Sequence, residues 1–98
     1  MKDIILSLNK TFESRIRLGI MSVLMVNDSC DFNSFKDTLG VTDGNLASHL
    51  KTLEEKGFIK VNKQFIGRKP NTRYSATEDG VRQFQLHLKS LENLINSQ

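Results

Sequence analysis

The chain has few of the residues that build disulfide-linked or membrane-spanning proteins. Its 98 residues include one cysteine, one proline and no tryptophan. Because Cys30 is the only thiol, no disulfide can form within the chain, which favours the cytoplasm over a secreted location. The longest mostly apolar stretch, residues 18–26, is far shorter than the roughly 20 residues that span a bilayer. An acid near the front of the chain argues against a signal peptide, so we expect a cytoplasmic protein without a membrane partner.

Patterns that carry catalysis or bind metals are also missing. Cys30, His49 and His87 are far apart in the sequence, and no CxxC or HxxxH spacing occurs. The sequence therefore predicts no metal site and no cofactor. No Gly-rich phosphate loop or nucleophile–base pair is present, so we expect no enzyme activity and no catalytic residue. Two interpretations of Cys30 remain open, namely a small buried residue and a thiol that senses oxidation.

The apolar residues that are present follow a helical pattern over most of the chain. Hydrophobic residues make up 38% of the sequence and charged residues 26%, which is typical of a small folded domain. Apolar side chains recur at helical spacing in five segments, about 2–12, 13–27, 34–39, 42–56 and 78–96. Gly40 ends the third of these helices, which Asn33 or Ser34 caps, and threonines cap the fourth (Thr42) and the last (Thr77).

Between residues 58 and 76 the spacing of the apolar residues changes from helical to alternating. Ile59, Val61 and Phe65 alternate with polar residues, which predicts a strand that turns all three toward the core. A polar loop over residues 67–71 leads to a second strand that carries Tyr74, and residues 30–32 form a short extra strand. The predicted fold is one mainly α domain with a small β-hairpin over residues 1–98, in the order α-α-β-α-α-β-β-α. A tight helical pair followed by a basic hairpin is a winged helix-turn-helix.

Three segments of the sequence resemble a known protein family. Residues 41–59 (VTDGNLASHLKTLEEKGFI) resemble the recognition-helix region of small MarR/ArsR-like winged-helix transcriptional regulators. Residues 65–75 (FIGRKPNTRYS) resemble the wing of these proteins, and residues 77–80 (TEDG) resemble their entry into the last helix. The resemblance extends over about residues 15–84. It implies a dimeric, sequence-specific DNA-binding protein of a bacterium or an archaeon.

The distribution of charge points to the same function without the resemblance. The formal net charge is only +3, but it is unevenly placed. Residues 1–41 carry five basic and five acidic groups, residues 42–77 carry seven and three, and residues 78–98 carry two and three. All of the excess positive charge therefore lies in the predicted recognition helix and wing. Such clustering is what binding to DNA phosphates requires.

The side chains that we expect to contact double-stranded DNA lie in three places. On the recognition helix, small and polar residues face away from Leu46, Leu50 and Leu53 and suit base edges in a major groove. On the wing, cations suit phosphates or a narrow minor groove, and the start of the preceding helix suits a phosphate. The candidate DNA contacts are Thr42, Asp43, Gly44, Asn45, Ser48, His49, Lys51 and Thr52 on the helix, Lys63, Arg68, Lys69, Thr72 and Arg73 on the wing, and Asn33 and Ser34 before it.

The last helix has the spacing of a two-heptad seam, which predicts pairing with a second copy of the chain. The alternative is that this helix packs back on its own domain. The candidate dimer-interface residues are Ile4, Ile5, Leu8 and Phe12 in the first helix and Val81, Phe84, Leu88, Leu91 and Ile95 in the last. A dimer of this kind would place two recognition helices about 34 Å apart on a palindrome-like site.

Two other functions remain open from the sequence. The face that we assign to DNA could instead bind a partner protein, although it lacks large apolar groups. A small-molecule effector, whose identity the sequence does not give, could bind between the dimer helices, where Phe12, Phe84 and the methionines could line a pocket.

Overall fold

The computed structural model describes residues 1–98 and contains five α-helices, one turn of 3-10 helix and three strands. No helix is both long enough and apolar enough to cross a membrane. The elements in chain order are α1 (Lys2–Ser7), the 3-10 turn (Lys10–Phe12), α2 (Arg15–Val26), β1 (Cys30–Asp31), α3 (Phe32–Leu39), α4 (Asp43–Glu55), β2 (Ile59–Ile66), β3 (Lys69–Ala76) and α5 (Glu78–Asn96). This order confirms the predicted winged helix-turn-helix.

The core forms where α2, α3, α4 and the base of the hairpin meet. Each helix contributes the apolar side chains that its helical spacing places on one face. Phe12 contacts both Phe58 and Phe84, with ring centroids 5.3 and 5.2 Å apart. The largest buried side chains are Phe12, Ile20, Met21, Phe35, Leu46, Leu53 and Phe84. Because three inward leucines anchor α4, its opposite face is left to solvent.

Most of the predicted helix caps are confirmed, and one is wrong. Gly40 ends α3 in the left-handed region at φ 62°, and the Thr42 hydroxyl accepts a hydrogen bond from the Asn45 N–H at the start of α4. Thr77 caps α5 in the same way. The cap of α3, however, is Asp31 rather than Asn33 or Ser34, because the Asp31 carboxylate accepts a bond from the Ser34 N–H at 2.8 Å. The helix therefore begins two residues earlier than predicted, at Phe32.

The hairpin is tighter and longer than the sequence predicted. The sheet has the order β1-β3-β2 with antiparallel pairing, and Ile66 lies opposite Lys69. The turn therefore consists of Gly67 and Arg68 alone, and the predicted loop over residues 67–71 is mostly strand. Gly67 has a φ of 64°, a conformation that favours glycine and suits a two-residue hairpin turn.

Phe65 does not face the core as predicted. It is 73% exposed, whereas Ile59 at the base of the same strand is 2% exposed. The alternation is real, but the hairpin extends past the helices, so no core lies opposite Phe65. Nearer the base of the hairpin, Val61 and Tyr74 are partly buried and lie opposite each other, and Tyr74 packs against the core.

The N-terminal segment is not one helix over residues 2–12. Leu8 is extended, with φ −66° and ψ 140°, and separates α1 from the 3-10 turn. α1 runs antiparallel to α5, where the Ser7 hydroxyl donates to the Ser90 hydroxyl at 2.8 Å and the Asn9 N–H donates to His87 Nδ1 at 3.0 Å. These two hydrogen bonds give the break a structural cause, because they hold the chain against α5 where it leaves α1.

Some residues of the predicted α5 seam lie in the core of the single chain, and others are exposed on its surface. Phe84 is 1% exposed within a single chain, whereas Ile95 is 71% exposed. The helix packs on its own domain through Phe84, His87 and Ser90, a face rotated away from the predicted seam. Phe12 and Phe84 are therefore core residues with no surface left for a second copy or for an effector. Of the remaining predicted interface residues, Ile5, Leu88 and Ile95 are exposed, and Ile4, Leu8, Val81 and Leu91 are partly buried.

Candidate nucleic-acid interface

The outer face of α4 is polar and largely exposed. Leu46, Leu50 and Leu53 are at most 2% exposed and fix the rotation of the helix. Residues one or two positions away from these leucines point to the other side of the helix, and the predicted DNA contacts occupy those positions. Gly44, Asn45, Ser48 and Lys51 are exposed there, and Thr52 is partly buried, with its hydroxyl donating to the Ser48 carbonyl. The predicted set is thus presented together on one surface.

Gly44 has no structural role that the protein itself explains. A side chain added at this position would meet no atom within 4 Å, and the backbone is not in the left-handed region. Glycine within a helix nevertheless costs up to about 1 kcal/mol relative to alanine. The space in front of the first turn of α4 is therefore open to a partner that approaches the backbone closely.

An ion pair lies at the N-terminus of α4. Lys36 Nζ is 2.9 Å from Asp43 Oδ1, and both side chains are well exposed. The hydrogen bond from the lysine, together with the negative charge of Asp43, raises the pKa of Lys36. Asp43 is favoured at this position because the N-terminal end of a helix carries partial positive charge. The ion pair links α3, which carries Lys36, to the start of α4.

His49 is bound by a residue that no sequence pattern singled out. Arg17 Nη1 lies 3.0 Å from His49 Nδ1, and the Arg17 Nε donates to the Thr11 carbonyl. A guanidinium can only donate, so Nδ1 must carry the lone pair and the ring proton is on Nε2. Burial, and secondarily the charge of Arg17, lowers the pKa of His49. His49 is therefore a neutral N–H donor at the margin of the α4 face.

An open groove of about 630 Å³ separates α4 from the wing. Lys51 stands on the helix wall and Lys63 on the strand wall, with Tyr74 at the base. Burial, followed by the nearby charge of Glu54, raises the pKa of Tyr74. The groove is lined by Ala47, Leu50, Lys51 and Glu54 from α4 and by Val61, Lys63, Thr72 and Tyr74 from the hairpin. A strand of phosphates could lie between the two lysines.

The wing carries its cations without neutralising partners. Lys60, Lys63, Arg68 and Lys69 are exposed, and none of the four takes part in an ion pair. No acidic residue occurs between Lys60 and Arg73. The positive charge that the sequence located in this region is therefore displayed on the hairpin.

Arg73 differs from the other cations of the wing. Its Nε donates to the Ser29 hydroxyl at 2.9 Å, and its Nη1 lies 3.7 Å from Asp31 Oδ2. These contacts hold β3 to β1, where Asp31 is the residue opposite Arg73. The Ser34 N–H and the charge of Arg73 both lower the pKa of Asp31. Arg73 therefore has a structural contact that the sequence did not predict.

The start of α3 is less open to phosphate than the sequence suggested. Asn33 and Ser34 are exposed, but the Ser34 N–H is already bonded to Asp31, whose negative charge occupies this helix end.

Cys30 precedes Asp31 and is buried, and its pKa is raised mainly by that burial. A buried thiol with a raised pKa is poorly reactive.

Comparison with known proteins relates this arrangement to DNA-binding folds. A family model described as a winged helix DNA-binding domain matches residues 16–95. The chain is 36% identical, over 85 residues, to the uncharacterized protein MJ0432 of Methanocaldococcus jannaschii, a match that spans 87% of this chain and 92% of that protein.

Solved structures show the same fold. A transcriptional regulator homologue from Pyrococcus horikoshii OT3 superimposes with a TM-score of 0.85 at 32% identity, over 98% of this chain and 93% of that chain. Bacillus subtilis PadR, solved in complex with operator DNA, superimposes with a TM-score of 0.65 at 17% identity, over 74% of this chain and 46% of that chain.

Proposed function

The chain belongs to the winged helix DNA-binding domain family, and on this premise we propose that it is a homodimeric transcriptional regulator that binds a specific site on double-stranded DNA. In this proposal α4 lies in the major groove, and the wing follows the backbone or the adjacent minor groove. The protein acts in the cytoplasm of a prokaryote and is not an enzyme.

The observation that carries the proposal is the unpaired positive charge beside an exposed polar helix face. Lys63, Arg68 and Lys69 have no acidic partner, and Lys51 faces Lys63 across the groove. Phosphate neutralisation supplies most of the non-specific affinity of a protein for DNA. A partner protein would be expected to use large apolar side chains, and α4 exposes none.

Sequence specificity is assigned to the outer face of α4. Asn45 and Ser48 can donate to and accept from base edges, and a helix fits the major groove, which is about 12 Å wide. Gly44 allows the first turn to approach the bases, and His49 supplies an N–H donor. Lys51 is placed to contact a phosphate rather than a base, because it lines the groove beside the wing.

The DNA-binding proposal is tested by selecting bound duplexes from a random pool and measuring the affinity of the enriched duplex at several salt concentrations. We expect a palindrome-like motif and an affinity that falls steeply as salt rises. A pool without any enriched motif, or an affinity independent of salt, would overturn the proposal.

Homodimerisation is proposed from the apolar surface that α1 and α5 leave uncovered. Leu6 is 80% exposed and Ile95 is 71% exposed, and Leu88 lies on the same side of α5 as Ile95, seven residues away. A surface of this kind typically marks an association site. A two-fold contact here would leave the α4 faces of both copies free.

Sedimentation velocity tests the dimer with two variants of one helix. Leu88→Asp combined with Ile95→Asp is expected to yield a monomer, because a charge would be buried without a partner. Leu86→Asp is the matched control, since Leu86 is also exposed but points to the opposite side of α5. An 11.1 kDa species in the wild type at micromolar concentration would overturn the dimer proposal.

A further inference from the structure

The tip of the wing exposes two large apolar side chains that the protein itself does not cover. Phe65 is 73% exposed and Ile66 is 62% exposed, and they lie opposite Pro70 and Lys69 in the hairpin. Measured from Val61, the last partly buried residue of β2, the tip extends roughly 17 Å at the usual rise of a strand. Adjacent exposed apolar side chains at the end of a projecting ribbon are typical of a contact surface.

Register places these two side chains on opposite faces of the hairpin. Val61, Lys63 and Phe65 share one face because side chains alternate along a strand, and the first two of them line the groove beside α4. Phe65 therefore continues that groove outward, while Ile66 extends from the other face. The end of the wing is apolar on both sides.

The charges around the tip identify the kind of partner. Lys63, Arg68 and Lys69 surround the two apolar side chains, are exposed and form no ion pair. The occupant must therefore present negative charge at its edges and an apolar surface between them. A DNA minor groove has this composition, with phosphates along both rims and deoxyribose and base edges within.

A negatively charged lipid surface shares part of this chemistry, but the rest of the face favours DNA. The groove beside Phe65 leads to the outer side of α4, where the exposed residues are glycine, asparagine, serine and lysine. No large apolar side chain is exposed on α4, whereas a membrane-bound helix would need several. The apolar contact is confined to the wing tip.

We propose that Phe65, on the hairpin face that continues the groove beside α4, forms a wedge that enters the minor groove, packs on deoxyribose and partly unstacks one base step, so that the duplex bends. The inference rests on the proposed DNA-binding function and adds a structural effect on the DNA. The groove is about 6 Å wide, so the single Phe65 side chain enters it, and the two-stranded ribbon, with Ile66 on its other face, does not. Arg68 and Lys69 hold the phosphates on either side.

The wedge predicts a preference for certain base steps that does not depend on any hydrogen bond to a base. Pyrimidine–purine steps, TA above all, unstack most easily. Such steps are therefore expected where the wing tips meet the duplex, on the outer flanks of each half-site. Apolar side chains that separate base steps bend DNA in other minor-groove proteins.

The test uses the full chain and the duplex enriched by selection, with 2-aminopurine at the flanking TA step and a donor–acceptor dye pair at the duplex ends. Wild-type protein is expected to raise the 2-aminopurine fluorescence and to shorten the end-to-end distance. Phe65→Ala combined with Ile66→Ala is expected to lose both signals and to bind about 5- to 150-fold more weakly, the range for removing one aromatic contact with a base.

Three comparisons make the test specific. The double variant should keep the salt slope of the wild type, because the cations that contact phosphates are intact. Val26→Ala removes an apolar side chain of similar exposure on α2 rather than at the wing tip, and should change neither signal. Phe65→Leu keeps an apolar tip and should retain most of the bend.

The possible failures are distinguishable from one another. If the double variant bends and unstacks the duplex as the wild type does, the wedge is overturned while the DNA-binding function stands. If the wild type binds no duplex, the proposed function itself fails. Co-sedimentation of the wild type with phosphatidylserine vesicles, abolished in the double variant, would show that the tip serves a membrane and would also overturn the wedge.

Discussion

Arg17 holds His49 from outside the helix-turn-helix, with 3.0 Å between the guanidinium nitrogen and Nδ1 of the imidazole. The same arginine donates to the Thr11 carbonyl, so one side chain links the segment before α2 to α4. The contact fixes the histidine in the Nε2–H form. The position and tautomer of His49, at the edge of the α4 face, therefore depend on a residue 32 positions away in the sequence.

Replacement of Arg17 by methionine is expected to raise the pKa of His49. The positive charge of the arginine is one cause of the lowered pKa, and burial is the larger one, so the recovery toward the ordinary value will be partial. Nuclear magnetic resonance titration of the imidazole signals measures the change. His87, on α5, serves as the control in the same spectra, and an unchanged His49 titration would show that the contact does not form in solution.

The wing cations are expected to act on all duplexes alike. Changing Arg68 and Lys69 to alanine should weaken binding to every sequence and reduce the slope of log affinity against log salt by about 2, near one unit for each phosphate that the variant no longer neutralises. Fluorescence anisotropy at several salt concentrations measures both quantities.

The matched control for the wing removes the same charge elsewhere. Lys2 and Lys10 are exposed on the N-terminal segment, and their replacement by alanine should leave the slope unchanged. Equal slopes for the two double variants would mean that net charge alone, rather than the wing, governs affinity.

Gly80 and Gly44 have opposite surroundings, so a methyl group added at each position is expected to have opposite effects on stability. At Gly80 a Cβ would lie 1.9 Å from the Phe58 carbonyl oxygen, so Gly80→Ala must push α5 off the start of the hairpin and should destabilise the fold by about 3 kcal/mol. At Gly44 no atom lies within 4 Å, so Gly44→Ala should stabilise α4 by up to about 1 kcal/mol.

The decisive comparison for Gly44→Ala is between stability and DNA binding. If the glycine serves close approach to the bases, the more stable variant should bind the selected duplex more weakly, by about 1–3 kcal/mol. Urea unfolding and anisotropy on the same sample measure the two quantities. A variant that is stabilised and binds as well as the wild type would remove the functional reason for the glycine.

The features that the sequence predicted correctly depend on neighbours in the chain. Helical spacing turned Leu46, Leu50 and Leu53 inward, and the conformational freedom of Gly40 and the hydroxyl of Thr42 marked where helices end and begin. Each of these effects involves residues within one or two helical turns. They sufficed for the fold and for the polar face of α4.

The features that it missed depend on where distant elements stop. Alternation placed Phe65 on the core face, but the length of the hairpin relative to the helices decides whether a core is there. The apolar spacing of α5 fits its own domain and a second copy equally well, and only the packing of Phe84 against Phe12 decides the rotation. The contact of Arg17 with His49 leaves no local pattern at all.

The two histidines also predict how stability depends on pH. His87 is 3% exposed, and its Nδ1 accepts a hydrogen bond from the Asn9 N–H. Protonation of Nδ1 would replace this acceptor by a second donor that faces the Asn9 N–H. Burial lowers the pKa of His87, although the charge of Glu13 acts in the opposite direction. Below the ordinary histidine value of 6.5 the unfolded chain takes up a proton that the folded chain resists. The free energy of unfolding should therefore fall as the pH drops through and below this value.

Asparagine at these positions separates the two contributions. Its side-chain oxygen can replace Nδ1 as acceptor and does not titrate, so His87→Asn should flatten part of the pH dependence measured by urea unfolding between about pH 8 and pH 5. His49→Asn should remove a further part, because burial also lowers the pKa of His49. A doubly substituted chain that loses stability as steeply as the wild type over this range would show that neither histidine controls it.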